Sequence, residues 1–204
     1  MTPFVDVAFL ILSFFMLATK FKPPAPVEIT TPYSVSSDKL EEKDAVRIEF
    51  DSSGRVFFTM QTQKAELAEA KLDLIKNVNT ARKLGLTDAE MASFAKNASV
   101  GVPFTALKQY LATPEDQRGT IKQTGVPVDS TDNQLATWIA NAVNSFQGNR
   151  IDFLIKGDNN AKYPSFKGVI DALRVNQQFK YQLITDPESA PPGTELYTER
   201  MKRS

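Results

Sequence analysis

Residues 4–18 read FVDVAFLILSFFMLA, an apolar run interrupted by a single charge, Asp6, with Lys20 the next charged residue. A helix that crosses a bilayer needs about 20 mainly apolar residues. The run reaches that length if Thr2-Pro3 open it and the aliphatic stems of Lys20 and Lys22 snorkel at its far end. Pro3 suits a first helical turn, where no N–H partner is required, and Pro23-Pro24 stop the helix. The reading is one transmembrane helix over residues 1–21, from about Thr2 to Phe21. A cleavable signal peptide would need a basic start, an unbroken apolar region and a small-x-small cleavage site, and none is present. A buried helix of a soluble core is the other rival, but such helices keep one apolar stripe, and this run is apolar all round.

Asp6 is then the informative residue. A carboxylate at mid-depth in a membrane costs roughly 2.5–3.5 kcal/mol on insertion scales, and such groups belong to ion or proton paths or face a partner. The alternative is a residue so near the helix start that it caps the N-terminus in headgroup water. The residues alone leave relay and cap open. Helical spacing puts Thr2, Asp6, Phe9 and Ser13 on one face, the only face with polar atoms, and a stripe of that kind points at a partner helix rather than at lipid.

The rest of the composition narrows the chemistry. The chain has 204 residues, with 24 Lys+Arg against 24 Asp+Glu and neither His nor Cys. Zero net charge argues against a nucleic-acid partner, which would need a basic surplus. Without His or Cys there is no disulfide, no thiol nucleophile, no Ser-His pair and no usual zinc site. We find no catalytic constellation, so the chain reads as a non-enzyme with no metal and no cofactor. Asp158-Asn159-Asn160 has a faint likeness to a calcium loop but lacks the later Gly and the distal Glu, and reads as a turn. Glu41, Glu42 and Asp44 read as solvated surface. Trp138 reads as core, as do Phe57, Phe58, Phe153 and Phe166.

Residues 22–44, rich in Pro and Ser, form an extended linker in which 27–32 alternates like a short strand. Residues 45–51 and 55–60 around Ser52-Ser53-Gly54 predict a β-hairpin. Residues 64–83 have helical spacing. Thr87 and Glu90 form a capping box opening a helix to about Asn97, and 103–112 is a third helical segment. Residues 119–132 are loop-like. A helix over 134–146 follows cap signals at Ser130, Thr131 and Asp132, then a strand over 150–156, a helix over 164–176 and a strand over 179–185. Asp186 opens a polar stretch, and 188–204 reads as a flexible tail. The fold class is therefore a single N-terminal transmembrane helix plus a small α+β domain over 45–187, of about four strands with helices on one face. Residues 61–133 read as a mostly helical insertion.

The run from Met1 to Leu10, with Phe14-Phe15-Met16 beyond it, resembles the membrane signature T-P-x-V-D of the ExbD/TolR family. The strand-Asp…Tyr-helix-strand pattern of residues 151–185 resembles the end of the same family's soluble domain. The likeness covers about 1–60 and 134–187. The family carries a polar stretch before T-P-x-V-D, whereas this sequence opens at the motif, so either the stretch lies outside this sequence or the protein lacks it. The resemblance implies that Asp6 carries protons for a motor driven by proton-motive force. It implies a homodimer whose helices sit in a pentameric ExbB/TolQ-like ring of the bacterial inner membrane. It also implies a C-terminal domain in the periplasm and force transfer to a TonB-like or TolA-like protein. The linker stretch of Val27, Ile29 and Pro32 lies where the family has a segment that pairs with a strand or a partner. A plain tether is the alternative on the residues alone. Lys20 and Lys22, taken naively, would put that domain in the cytoplasm. The rival function is a membrane-anchored binding or scaffold protein whose helix only tethers, and within the family a TolR-like role in outer-membrane integrity.

Overall fold

The computed structural model describes residues 2–18, 29–35, 44–62, 69–146, 148, 150–187 and 194. The expected hairpin forms as β2 (Ala45–Phe50) and β3 (Val56–Gln61), after a two-residue β1 (Tyr33–Ser34). Gly54 has φ +86°, which the turn requires and other residues rarely adopt. Asp51 fastens that turn: its carboxylate accepts from the Arg55 backbone N–H at 2.9 Å and from Arg55 Nε at 2.7 Å.

Beyond the hairpin come α2 (Ala70–Arg82), α3 (Asp88–Asn97), β4 (Ser99–Val100), α4 (Phe104–Ala112) and a short 3-10 stretch, Glu115–Thr120. Then follow α5 (Gln134–Ser145), β5 (Asp152–Gly157), α6 (Tyr163–Val175), β6 (Gln182–Ile184) and β7 (Asp186–Pro187). The first part of the helix expected over 64–83 lies outside the described residues, and its described part is α2. The capping box at α3 is present as read: Thr87 Oγ1 accepts from Glu90 N–H and Glu90 accepts from Thr87 N–H. The cap of α5 is Asn133, not the residues before it, because its Oδ1 is the atom that reaches Ala136 N–H at 3.2 Å.

The main sheet has five strands in the order β4-β3-β2-β5-β6, one more than expected. The additional strand, β4, pairs with β3 through Phe58 opposite Val100 and Thr59 opposite Ser99. Two residues are too few to show alternation, and the chain reaches this register because Ala98, at φ 44°, reverses it at the end of α3. β6 begins at Gln182 rather than 179. Residues 176–178 still close α6 through bonds back to Arg174 and Leu173, so the chain meets β5 only at Gln182 opposite Leu154.

One face of the sheet supplies the core. Val46, Ile48 and Phe50, with Val56, Phe58, Met60, Phe153 and Ile155, join the buried residues of α2 to α6 in one cluster. Among the described residues the domain's helices therefore lie on that face, as expected from the period-2 strands and period-3.6 helices. Trp138 of α5 is wholly buried, stacked against Phe58 at 5.4 Å and Phe94 at 5.6 Å, with Phe104 at 5.5 Å. Phe94 and Phe104 come from the stretch read as an insertion, so that stretch is part of the core. Arg118 ties it together from inside. Its guanidinium donates to Ser93 Oγ and to the carbonyls of Leu111 and Thr113, and lies over the Tyr110 ring.

Two outcomes follow from this packing. Phe94→Ala should lower the unfolding free energy by about 3–5 kcal/mol, the cost of emptying a buried aromatic site, read by urea unfolding with Trp138 fluorescence. On exposed α6, Lys167 Nζ lies 2.6 Å from Asp171 Oδ2. The hydrogen bond from Lys167 holds the Asp171 carboxyl below its ordinary value, and the same bond raises Lys167. Because the folded-state value of Asp171 is depressed, its contribution is present above the ordinary carboxylate range and is lost as pH falls through the depressed value. Asp171→Asn should flatten that acid limb of a melting-temperature profile without changing the shape of the profile near neutrality.

Candidate functional site

Helix α1 (Thr2–Ala18) carries Asp6 as its only charged residue. Residues 5–14 are exposed, among them Val5, Val7, Phe9, Leu10, Ile11, Leu12 and Phe14, all more than half open to solvent. A soluble-core helix would have buried that surface, so the rival reading of a buried core helix fails for these residues. With 100° per residue, Thr2, Asp6, Phe9 and Ser13 fall on one side of α1. The structure thus puts the stripe residues together as positions on a helix.

The length differs from expectation. α1 has 17 residues, about 25 Å at 1.5 Å each, against about 30 Å of hydrocarbon. Among the described residues no helix is long and apolar enough to cross a membrane. Residues 19–21, which would complete the expected span, lie outside the described residues.

The linker reading also shifts. Val27 lies outside the described residues, Ile29 is half-buried and Pro32 is exposed. Residues 29–32 form no strand; pairing starts one residue later, where Tyr33 lies opposite Asp186 and Ser34 opposite Pro187 in a parallel pair. The reason is local: Pro32 has no N–H to give a ladder, but its carbonyl accepts from Asp186 N–H at 3.0 Å. Asp186-Pro187, expected to open a loose polar stretch, are instead β7. Upstream, Thr30 N–H donates to Asp158 Oδ2 at 3.2 Å, and Asn159 N–H donates to the Thr30 carbonyl at 2.8 Å. Thr31 is buried between these two fastenings.

Asp158 therefore serves a turn. Its other oxygen accepts from Asn160 N–H at 2.8 Å, and among the described residues no group of side chains could hold a metal ion. Asp158 and Asn159 are read from the sequence as a turn and Asp186 as the start of a polar stretch; nothing local shows that they fasten the linker, since their partners lie more than 120 residues away. The only local signal was the turn itself.

The family described as "Biopolymer transport protein ExbD/TolR" matches residues 1–188. The chain belongs to that family. No curated protein and no solved structure matches it. Members of the family are inner-membrane subunits of energised transport systems with periplasmic domains, not enzymes, and they associate in general with ExbB/TolQ and TonB/TolA-type partners.

The β1–β7 pairing gives a direct check, because the chain has no native cysteine. Adjacent strands lie about 4.8 Å apart, within disulfide reach. Tyr33→Cys with Asp186→Cys should close to an intramolecular disulfide on mild oxidation, seen as a reducible mobility shift, whereas Tyr33→Cys with Arg174→Cys should not.

Proposed function

We propose that this chain is an ExbD-like subunit of a proton-driven inner-membrane motor that energises outer-membrane transport through a TonB-like partner, with Asp6 carrying the protons. The observation that carries the reading is Asp6 itself, the lone charge of an exposed apolar helix in a chain matched by the family from its first residue. The span read from the sequence over residues 1–21 has the length that crosses the hydrocarbon layer.

The mechanism rests on the cost of charge in a low dielectric. Ionised Asp6 favours a water-lined or polar position, and protonation removes the charge and lets the helix turn or shift against apolar neighbours. Release of the proton on the other side restores the first arrangement. A membrane potential supplies about 2.3 kcal/mol per charge per 100 mV, enough to bias such a step. With neither His nor Cys in the chain, a carboxylate is the natural carrier.

In this reading the stripe of Thr2, Phe9 and Ser13 faces the ExbB/TolQ-like ring, with two copies of the subunit sharing it. The linker around Val27, Ile29 and Pro32 passes force to the periplasmic domain by engaging a partner, with Thr30 and Pro32 fastened to that domain. The 45–187 domain, with its Phe94- and Phe104-bearing insertion, is the part that meets the transducing protein.

The test replaces Asp6 by Asn in the intact motor, keeping shape and removing titration. Proton-dependent transport should fall to the level without the subunit, while the variant still co-purifies with the ring. Retained transport would show that Asp6 is not the carrier, and loss of co-purification by Asp6→Asn and Asp6→Leu alike would assign it to assembly. If Asp6→Leu and scrambled apolar residues were tolerated, α1 would be a simple anchor.

A further inference from the structure

A cleft of about 520 Å³ lies where four segments meet: the β2–β3 turn, residues 164–171 of α6, the loop that leads into α5, and Pro103 ahead of α4. We infer that this cleft docks a lysine- or arginine-bearing extended peptide of an interacting protein. Its size falls in the range of preformed ligand pockets and exceeds what one side chain fills.

The cleft is built rather than incidental. Ser165 Oγ donates to the Gly54 carbonyl at 3.2 Å, joining α6 to the turn. Asn133 Nδ2 donates to the Gly168 carbonyl at 3.0 Å, joining the loop to α6. A Cβ on Gly168 would stand 2.5 Å from the Val128 carbonyl, and one on Gly125 would stand 2.8 Å from the Val56 nitrogen. Only glycine permits either approach. The third wall, including Thr124 to Ser130, belongs to the stretch read as an insertion, so the hairpin and α6 alone would leave the cleft open on that side.

Hydrogen-bonding capacity decides the ligand. Pro103, Pro127 and Pro164 line the cleft and have no N–H. The N–H groups of Gly54, Gly125, Val126 and Ser165 already bond to carbonyls of Asp51, Gly101, Val56 and Lys162. The two cations are occupied as well. Arg55 is held by Asp51 at 2.6 Å and by the Gln123 carbonyl, and Lys167 by Asp171. Asp129 is different: it is exposed on the rim and forms no ion pair among the described residues. The backbone N–H groups of the turn and of the start of α6 are thus engaged, and the hydroxyls of Thr124 and Ser130 remain as donors or acceptors. One carboxylate, Asp129, has no ion pair among the described residues beside the apolar surfaces of Val126, Pro127 and Val128.

Such a wall matches a donor-bearing cation on an apolar stem, which is a lysine or arginine side chain. An anion fits it less well, because both cations of the lining are already paired and Asp129 is not. The α6 N-terminus favours negative charge, but Pro164 offers no N–H there and that of Ser165 is engaged. This inference is independent of the proton role of Asp6.

The test uses the full chain in neutral detergent micelles with two probes, acetyl-Pro-Lys-Pro-Lys-amide and its Glu counterpart, followed by backbone amide shifts. The Lys peptide should move the amides of Thr124, Gly125, Ser130 and Gly168, and the Glu peptide should not. Asp129→Asn should weaken binding by up to about fivefold, as for a single rim charge, and Asp129→Lys should abolish it with an unchanged amide fingerprint elsewhere. Asp88→Asn, at an exposed carboxylate on α3, should have no effect. Equal response to both peptides, shifts centred on another surface, or full binding by Asp129→Lys would each overturn the assignment.

Discussion

Trp138 is the side chain on which the domain's several parts converge. Its indole stacks against Phe58 from the hairpin and Phe94 from α3 and meets Phe104 from α4 at a tilt, with centroids 5.4–5.6 Å apart. Aromatic pairs at this distance add to ordinary burial, and four rings from four elements cannot be satisfied piecemeal. The insertion is held to the framework by this contact and by β4 along the outer edge of β3. A domain without it would expose Phe58 and Trp138 to water, so what looks like an addition in sequence is structural in the fold.

That packing has functional consequences. By pairing with β3, the insertion removes one open edge of the sheet, and its last residues form one wall of the cleft beside α6. At the same end of the sheet, where β5 and β6 finish, Asp158, Asn159 and Asp186 hold the linker that comes from α1. The fastening of the linker and the peptide-sized cleft therefore both lie where the parallel strands β2, β5 and β6 finish. In a family whose members couple membrane subunits to periplasmic partners, this places the linker's fastening and a candidate partner surface on one rigid framework.

Several readings from the sequence carried through because they rest on short-range physics. The hairpin around Ser52-Ser53-Gly54, the Thr87–Glu90 capping box and the helix bearing Trp138 are each decided within a few residues, by a turn, a cap or a period. The readings that moved were those with distant partners. β4 and β7 are two residues long and carry no periodic signal; each exists because another strand is present to receive it. The expected strand before Pro32 shifted to Tyr33, since the ladder's register is set by Asp186 and not by alternation in the linker. The cap of α5 fell to Asn133 because only its side chain is aimed at the helix's free N–H groups.

The sequence by itself determined the family, through an aspartate three residues after Thr-Pro in an apolar run, and the order of most elements, because charge in an apolar helix and hydrophobic period are local properties. Tertiary structure alone decided that the insertion is part of the core, that the linker is fastened at Asp158 and Asp186, and that Asp129 stands at a cleft without an ion pair among the described residues. Each of those depends on which groups already have partners, and partnership between residues a hundred positions apart is a property of the folded chain.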